Sequence, residues 1–270
     1  MAATDTLDRF IPALLERVAA AVILPRFGRL SAADTAEKTP GDWVTIADRE
    51  SEAIITEELL RLDPTSRVVG EEAASADPSL IDTVAHGRVW LVDPLDGTNN
   101  FAEGGEPFGM MIALVEDGVT QAGWIYAPVT KRLCSARRGV GAFINGVRVT
   151  AARQNDRVPV ATYSNYWFSP EEAAAIEIAA ADVLDLRHGL RCAAAQYAAL
   201  VDGTHDIARF ERIYPWDHAA GSLFLTEAGG HVARPDGRPY SLTDTGKGLL
   251  AAASRDMWER GARVLGQSLA

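Results

Sequence analysis

Basic residues are scarce in this chain relative to acidic ones. Its 270 residues include 26 Lys and Arg against 37 Asp and Glu, which gives a formal net charge of −11. Such a balance argues against a nucleic-acid backbone or an anionic membrane as partner, because both carry charge of the same sign. It does not exclude a small anionic substrate, since bound cations can reverse the field locally.

Cysteines are also few, and long apolar runs are absent. Cys134 and Cys192 are too few for a disulfide framework, so the sequence predicts a reducing, cytoplasmic location. No apolar run approaches the roughly 20 residues of a membrane span. Residues 1–10 carry acids where a secretory signal would carry basic residues, so we expect neither a signal nor a membrane partner.

Helical periodicity and capping residues occur in both halves of the chain. Helices are predicted over 7–24 (with Pro12 in the first turns), from about Asp48 to Asp63-Pro64, over 170–184 and 193–203, and from Asp217 to Gly229-Gly230.

Strand and turn signals lie between these helices. Strands are predicted over 67–72, 88–94 and near 159–164, an irregular loop over 37–48, and mostly antiparallel sheet over 105–150 with turns at Asp117-Gly118 and Asn145-Gly146. No Pro-, Gly- or Ser-rich linker divides the chain. We therefore expect one compact α/β unit with two tightly joined subdomains, 1–150 and 151–270.

Four acidic residues share a position at the end of a predicted element. Glu71 and Asp93 end strands, Asp96 lies in the turn after the second strand, and Asp217 opens a helix. If they converge, each pair of like charges ~4 Å apart costs about 4 kcal/mol at an effective dielectric of 20. Divalent cations offset such repulsion, and carboxylate oxygens suit Mg²⁺. Taken singly, each residue is more typical of a turn, a helix cap or a solvated pair.

The residues after Asp96 favour an anion site beside these acids. Gly97 allows close approach of the backbone to a ligand, and residues 99–101 can begin a helix whose free N–H groups would face a phosphate. Thr98 adds a hydroxyl that can orient a water molecule.

Four segments together resemble the inositol monophosphatase family, which belongs to the lithium-sensitive, magnesium-dependent phosphatases. They are GDWVTIAD at 41–48, GEE at 70–72, WLVDPLDGTNNF at 90–101 and PWDHAAGSLFLTEAGG at 215–230. Order and spacing agree from about Phe10 to Gly230. The resemblance implies alternating α-β-α-β-α layers, as in inositol monophosphatase and fructose-1,6-bisphosphatase, and usually a homodimer.

The resemblance also implies the roles of individual residues. Two or three Mg²⁺ ions would be held by Glu71, Asp93, the carbonyl of Leu95, Asp96 and Asp217. Thr98 and Asp48, with a contribution from Glu71, would place the attacking water, and the N–H groups of Gly97 and Thr98 would contact phosphate. The implied reaction is direct hydrolysis of a small phosphorylated metabolite. Inositol 1-phosphate is the default substrate, and histidinol phosphate, fructose 1,6-bisphosphate and 3′-nucleotides are alternatives.

The second half departs from the family where substrate is selected. Arg191, Cys192 and Ala193 stand where relatives that cleave inositol phosphates tend to have Gly-Ser/Thr-Ala, so Arg191 and Ala193 are the predicted substrate contacts there. Arg191 would either grip a second anionic group or pair with a local carboxylate such as Asp202 or Glu211. Glu211 lies six residues before Asp217, one fewer than the sugar-binding glutamate of relatives.

Other conspicuous side chains are interpreted as structural. His218 is expected to be a helix residue and Cys192 a small buried hydrophobe, and Trp43, Trp90 and Trp216 are expected in the core or pocket wall.

Two other classes of protein are alternatives to a phosphatase of this family. Haloacid-dehalogenase phosphatases need two aspartates one residue apart near the first strand, whereas Asp93 and Asp96 have two residues between them and lie far from residue 1. A non-catalytic, metal-binding regulatory protein on the same fold is the alternative outside enzymes. It is disfavoured because all the carboxylates and Thr98 are present.

Overall fold

The chain folds into five alternating layers of helix and sheet. In this computed structural model the described residues are 2–39, 41–151, 157–164, 168–244 and 246–266. The helices are α1 Ala2–Val18, α2 Ile46–Leu62, α3 Glu71–Ala76, α4 Thr98–Ala102, α5 Pro170–Ala180, α6 Ala193–Asp202, α7 Pro215–Glu227 and α8 Arg255–Leu265. A π-helical turn, Ala19–Ile23, follows α1, and 3₁₀ turns lie at Ala32–Asp34 and Pro78–Ala85.

The strands form one large, one medium and one very small sheet within the described residues. They are β1 Thr35–Thr39, β2 Asp42–Thr45, β3 Arg67–Gly70, β4 Arg88–Asp96, β5 Gly109–Glu116, β6 Val119–Ala127, β7 Arg132–Arg137, β8 Gly141–Ile144, β9 Val147–Val149, β10 Val160–Tyr163, β11 Asp185–His188, β12 Ile207–Phe210, β13 His231–Ala233 and β14 Leu249–Ala252. Strands β3 to β9 follow one another in chain order across a seven-stranded sheet. The second sheet has the order β11-β10-β12-β14-β13.

The seven-stranded sheet confirms the antiparallel prediction for 105–150. Only its first pair, β3 and β4, is parallel, and all later neighbours are antiparallel. The predicted turns are present, with Asp117 at φ 48° and Asn145 at φ 49°. Asn and Asp tolerate this left-handed conformation better than other side chains, which is why these dipeptides predicted the hairpins.

Three apolar clusters hold the layers together and confirm the α-β-α-β-α prediction. Helices α1 and α2 cover one face of the large sheet, where Ile11, Trp90 and Trp124 are buried. Helices α6 and α7 lie between the two sheets, with Tyr197 and Phe224 fully buried. Helices α5 and α8 cover the outer face of the second sheet. The predicted division at residue 150 stays a prediction.

The N-terminal elements correct two expectations. The first helix begins earlier than predicted, at Ala2, so Pro12 lies inside the helix rather than in its first turns. The loop predicted over 37–48 is a hairpin in which β1 pairs with β2 through Ala36 and Val44. Alternation of small and polar residues hid these strands, because β1 has no buried residue. Pro40, between them, lies outside the described residues.

Two helices differ in length or start from the prediction. The predicted helix over 170–184 ends at Ala180, because Asp182 takes a left-handed φ of 62° that a helix cannot continue through. The last predicted helix begins at Pro215, with Tyr214 as its N-cap, so Asp217 is its third residue rather than its opening one. None of the helices in the described part of the chain is long and apolar enough to cross a membrane.

Candidate active site

A cleft of about 850 Å³ is lined by residues of the seven-stranded and the five-stranded sheet and contains most of the predicted site residues. Nine of them line it, namely Glu71, Asp93, Leu95, Asp96, Gly97, Thr98, Arg191, Ala193 and Asp217. Asp48 lies behind Thr98, fully buried, and reaches the cleft through the threonine hydroxyl. Residues from β3, β4, α4, α6 and α7 thus meet in one place.

A bulge in β4 brings Asp93 and Asp96 together. Asp93 faces Met111 across the β4–β5 ladder and Asp96 faces Gly109, so β4 carries one extra residue between these pairs. The sequence suggested that the strand ends at Asp93, but it continues to Asp96. An inserted residue bends the strand and re-aims its side chains, which is a frequent use of bulges beside active sites. The Leu95 N–H donates to Asp93 Oδ1 at 3.0 Å and fixes the turn.

Asp93 is the centre of the acidic group. Its side chain is almost completely buried, at 1% exposure. Burial raises the pKa of Asp93 well above its ordinary range, and the charges of Glu71, Asp96, Asp217 and Asp48 raise it further. An isolated buried carboxylate would be costly, so this site favours either a proton or a cation.

Asp96 is held by the start of α6, a contact that the sequence did not reveal. Its Oδ2 accepts hydrogen bonds from the Ala194 N–H at 2.6 Å and from the Cys192 thiol at 3.0 Å. Burial raises the pKa of Asp96, and these two hydrogen bonds partly oppose the rise. Cys192 is also the N-cap of α6, accepting from Ala195 N–H at 3.5 Å. Cys192 is buried in an apolar cluster, as expected, and its thiol in addition donates and accepts weak hydrogen bonds.

Thr98 and Asp48 form the second functional pair. Thr98 Oγ1 lies 2.9 Å from Asp48 Oδ1 and 2.8 Å from the Leu95 carbonyl oxygen. The other carboxylate oxygen of Asp48 accepts from the Thr45 N–H and hydroxyl, at 2.8 and 2.5 Å. Thr45, not Asp48, is the N-cap of α2, and Asp48 completes a capping box. Burial raises the pKa of Asp48 to about 7, although the bonds from Thr45 oppose the rise.

Gly97 allows the chain to turn from β4 into α4. It has φ 84°, and a Cβ at this position would lie 2.9 Å from the Pro107 carbonyl oxygen. Only glycine fits such a conformation and such a close approach. Helix α4 therefore starts directly at Thr98, which presents its hydroxyl to the cleft.

Lys38 is a site residue that the sequence did not identify. Its Nζ donates to Glu71 Oε1 at 2.9 Å and to Glu72 Oε1 at 2.5 Å. Burial alone would lower the pKa of Lys38, but the charges and hydrogen bonds of Glu71 and Glu72 outweigh it and raise the pKa. The β1–β2 hairpin that carries Lys38 is anchored to α4, since Asn99 Nδ2 donates to the Gly41 carbonyl at 2.8 Å. A loop prediction over these residues gave no reason to expect this contact.

Glu52 is a second residue that the sequence did not identify. Its buried carboxylate accepts from the N–H groups of Glu72 and Ala73, both at 2.8 Å, and so caps α3. A Cβ on Gly70 would lie 2.3 Å from this carboxyl group, so the glycine leaves room for it. The contact fixes the start of α3, where Glu71 lies.

His218 confirms its structural interpretation. Its Nε2 lies 2.8 Å from the Arg212 carbonyl oxygen, so Nε2 carries the proton and Nδ1 accepts from the Tyr197 hydroxyl at 3.0 Å. The Tyr197 oxygen lies 3.1 Å from Ser222 Oγ. Burial lowers the pKa of His218 to about 4, so the ring is neutral. These bonds tie α6 and the loop before α7 to the helix that carries Asp217.

Arg191 pairs with a carboxylate, but with neither of the two that the sequence suggested. Its guanidinium binds both oxygens of Glu103, at 3.0 and 3.1 Å, on the exposed rim of the cleft. Asp202 instead pairs with Arg132 at 2.8 Å. Glu211 pairs with Arg209 at 2.5 Å. The structure thus favours the pairing alternative for Arg191 over a grip on a second anion.

The three tryptophans near the acidic segments differ in environment. Trp90 is buried in the core, and Trp216 is buried and lines the cleft, as expected. Trp43 is 39% exposed, which contradicts its placement in the core or pocket wall. It belongs to the short hairpin, which has too few strands to bury both of its faces.

The carboxylates of this site are suitable ligands for a divalent cation. Several of their oxygens accept hydrogen bonds from other groups of the protein. Within the described residues, no three His, Cys, Asp or Glu side chains are grouped tightly enough to hold a metal ion. Lys38 binds Glu71, while Cys192 and Ala194 bind Asp96. Burial raises the pKa of Asp93, and the charges of Glu71, Asp96 and Asp217 raise it further. Mg²⁺ prefers oxygen ligands, and a group of carboxylates with few neighbouring positive charges supplies such ligands.

Comparisons with known proteins agree with this geometry. The sequence model of the inositol monophosphatase family matches residues 6–269. A Nus factor SuhB from Pasteurella multocida is 32% identical over 247 residues, which cover 88% of each chain. A fructose-1,6-bisphosphatase/inositol-1-monophosphatase from Thermotoga maritima is 32% identical, covering 87% of this chain and 86% of its own. The crystal structure of the extragenic suppressor protein SuhB from Bartonella henselae superimposes over 100% of both chains, with a TM-score of 0.83 and 26% identity.

Proposed function

The chain belongs to the inositol monophosphatase family and is a phosphatase, and we propose that it hydrolyses the monophosphate ester of a small polyol. Inositol 1-phosphate is the first candidate substrate. The observation that carries this proposal is the convergence of Asp93 with Glu71, Asp96 and Asp217 beside the Thr98–Asp48 pair. The same cleft is large enough for a six-membered ring with its phosphate, at about 850 Å³.

We propose that the site binds two or three Mg²⁺ ions as its cofactor. Glu71, Asp93, the Leu95 carbonyl, Asp96 and Asp217 would hold them, once Glu71 and Asp96 release the donors that occupy them now. When bound, such ions supply positive charge that makes a nearby water easier to deprotonate and that stabilises the charge on the leaving oxygen.

The chain's own residues position the reactants. The Thr98 hydroxyl can donate to only one acceptor at a time, and Asp48 Oδ1 and the Leu95 carbonyl oxygen both lie within 3 Å of it. When the hydroxyl donates its hydrogen bond to Asp48 Oδ1, the Thr98 oxygen can accept a hydrogen bond from the attacking water and orient it. The N–H groups of Gly97 and Thr98 would hold the phosphate oxygens. Such positioning is most of what phosphoryl transfer requires.

Glu71 would assist in the same step. It lies at the start of α3 and faces the cleft, where its charge contributes to the raised pKa values of Asp48 and Asp93. A proton that leaves the attacking water would be received within this connected set of carboxylates. No covalent intermediate with the protein is needed.

The test of the function is a screen of phosphate release from phosphomonoesters in Mg²⁺, with a chelator as the matched blank. The panel holds inositol 1-phosphate, histidinol phosphate, fructose 1,6-bisphosphate and a 3′-nucleotide. Activity that depends on Mg²⁺ and is highest on the polyol ester is the expected result. A covalent adduct of beryllofluoride with Asp93 would instead indicate the haloacid-dehalogenase mechanism, and absence of turnover on the whole panel would refute the proposal.

The finer properties implied by the family are proposed in the same way. We infer a homodimer, a cytoplasmic location and inhibition by Li⁺, which light scattering, cell fractionation and an inhibition curve would test. The dimer and the location do not depend on the assignment of the site residues, so their failure would leave the reaction unaffected.

A second candidate function is non-catalytic. The Pasteurella multocida relative is named a Nus factor. The second proposal is that this chain likewise acts by binding another molecule, with or without catalysis. Its prediction is that a variant without phosphatase activity, such as Asp93→Asn, still complements loss of the chain in its own cell. Failure of the variant to complement would favour the enzymatic function alone.

A further inference from the structure

Helix α3 begins without a capping side chain of its own. Gly70 ends β3 and is the N-cap of α3, so no side chain at this position can bond the first N–H groups of the helix. The helix has six residues, and of these only Ala74 is buried. Helices this short are not stable by themselves. Contacts from outside α3 must therefore fix where it starts.

Glu52 of α2 supplies the missing cap. Its Oε2 accepts a hydrogen bond from the Glu72 N–H and its Oε1 accepts one from the Ala73 N–H, both at 2.8 Å. These are the second and third residues of α3, whose N–H groups an N-cap side chain normally binds. A negative charge is also favourable at the start of a helix, because the free N–H groups there are partially positive. One carboxylate from another helix thus replaces a capping residue at position 70.

Gly70 is needed here for space rather than for its backbone conformation. Its φ of −96° and ψ of 159° are extended values that any residue can adopt. A Cβ at this position, however, would lie 2.3 Å from the carboxyl carbon of Glu52 and 2.4 and 2.7 Å from its two oxygens. A side chain at position 70 and the carboxylate of Glu52 therefore compete for the same space.

The cap sets the direction in which Glu71 leaves the sheet. In the parallel β3–β4 ladder, Gly70 pairs with the residue just before Asp93, so Glu71 follows beside Asp93. The chain turns into α3 at this point, and the ammonium group of Lys38 binds the Glu71 side chain at 2.9 Å. The backbone at the start of α3 is thus fixed by Glu52, whereas the Glu71 side chain is held by a group that a metal ion would displace.

Helix α2 is a rigid support for this contact. Ile55 and Leu59 of the same helix are fully buried in the core. Glu52 lies one turn after Asp48, and residues four apart share a face of a helix. Asp48 accepts from the Thr98 hydroxyl at 2.9 Å. One face of α2 therefore holds both the hydroxyl that would orient the water and the start of α3.

We propose that Glu52 is a positioning residue, which sets the orientation of Glu71 and thereby the affinity of the cleft for Mg²⁺. Glu52 acts through α3, since both of its oxygens are bonded to that helix. Without its carboxylate the first N–H groups of α3 lose their acceptors, and the first turn is no longer fixed at Glu71. Binding of a metal ion must then order Glu71 as well, which lowers the affinity. This inference rests on the proposed metal-dependent phosphatase function.

The test moves the cap from α2 to position 70. Glu52→Ala should raise the dissociation constant for Mg²⁺ about tenfold, as expected for a lost cap, while kcat at saturating Mg²⁺ stays within about threefold. Gly70→Ser alone should also weaken binding, because its Cβ collides with Glu52. In the double variant that space is free, and the serine hydroxyl is a good N-cap group, so the constant should return to within about threefold of wild type.

Two measurements follow the cap and the metal separately. Calorimetric titration gives the dissociation constant for Mg²⁺ without any substrate. Hydrogen exchange of the Glu72 and Ala73 amides in the metal-free proteins reports the cap itself, and it should be about tenfold faster in each single variant than in the wild-type and double-variant proteins. The neutral serine also separates capping from charge, since it restores the hydrogen bond but not the negative charge of Glu52.

A merely structural role cannot give this pattern, because two substitutions that each damage the fold would not repair one another. Glu57→Ala is the matched control, since it removes an exposed acid of the same helix, paired with Arg61 at 2.7 Å, and should leave the dissociation constant unchanged. Thermal unfolding reports whether each variant folds. If the variants do not fold, the wild-type protein still decides, because unprotected Glu72 and Ala73 amides would contradict the cap.

A double variant that binds Mg²⁺ no better than Glu52→Ala, or unchanged affinity in Glu52→Ala, would overturn the inference while the phosphatase function stands. A wild-type protein that neither binds Mg²⁺ nor hydrolyses any ester of the panel would overturn the proposed function first, and this inference with it.

Discussion

Thr98 Oγ1 lies 2.9 Å from Asp48 Oδ1, although 50 positions of sequence separate the two residues. The contact joins the start of α4 to the start of α2, where Asp48 is held by its capping box with Thr45. It gives the proposed site a hydroxyl whose oxygen can be directed at a water molecule.

Thr98→Ala should reduce kcat/KM by about 10²–10⁴, the range typical of a lost general-acid–base group. The methyl group that remains cannot relay a proton between water and Asp48. Thr98→Ser keeps the hydroxyl and should stay within about tenfold of the wild-type protein. The measurement is the rate of phosphate release from the best substrate of the panel at saturating Mg²⁺. Equal losses in the two variants would show that the hydroxyl is not the functional atom.

Asp93→Asn should lower kcat/KM by at least about 10²–10³, as expected for loss of a group that stabilises charge in the transition state. The variant should nevertheless fold, because Asn keeps the acceptor for the Leu95 N–H and removes a buried charge. Without divalent cations, its melting temperature should equal or exceed that of the wild-type protein. Retained activity, or a metal-free variant that melts well below wild type, would contradict the assignment of Asp93 as the centre of the site.

The free energy of unfolding of the metal-free protein should fall as the pH rises from about 4 to about 7. Folded Asp48 has a pKa near 7, mainly because it is buried, whereas the unfolded residue titrates near 3.8. Between these values the folded state holds a proton that the unfolded state has lost, so raising the pH favours unfolding. The effect of Asp48 alone is on the order of a few kcal/mol.

Chemical denaturation at several pH values tests this slope. Asp48→Asn should flatten it, and added Mg²⁺ should reverse it above pH 7, because a bound cation stabilises the ionised carboxylates. A metal-free protein that gains stability from pH 4 to 7 would show that the buried carboxyl groups are ionised in the folded state.

Lys38→Met should increase the affinity for Mg²⁺. Lys38 now occupies Glu71 and Glu72 with its ammonium group, and a cation that binds Glu71 must compete with it. Calorimetric titration of the metal should show a dissociation constant several-fold lower than in the wild-type protein. Arg255→Met, which breaks an exposed pair with Glu259, serves as the control. Weaker binding in Lys38→Met would mean that the lysine supports the metal rather than competing with it.

Cys192→Ala should destabilise the protein by about 1–2 kcal/mol, because Asp96 loses a donor and α6 loses its cap. Cys192→Ser should restore most of this loss, since a hydroxyl donates more strongly than a thiol. Denaturant midpoints of the three proteins are compared without metal. If the alanine and serine variants are equally stable, the thiol contributes only its volume.

The sequence predicted secondary structure and site residues correctly where a short sequence pattern had a single structural explanation. The Asp117-Gly118 and Asn145-Gly146 turns required left-handed residues and were confirmed. The acids at element ends, with Gly97 and Thr98, predicted a convergent site, and the cleft brings them together. Periodicity also predicted α6 and most of α1.

What failed depended on partners distant in sequence. Strand β1 has no buried residue, so it left no periodic trace in the sequence, and its contact with Glu71 through Lys38 could not be foreseen. Arg191 was given two possible partners, yet Glu103 lies closest because the chain folds α4 beside residue 191.

The sequence by itself therefore determined the chemistry: which carboxylates, hydroxyl and glycine are available, and in which order elements present them. Only the tertiary structure decided which charges neutralise one another, as Lys38 does with Glu71 and Arg209 with Glu211. The physical reason is that electrostatic and hydrogen-bond energies depend on distance and burial, and both are set by how distant segments pack rather than by neighbours along the chain.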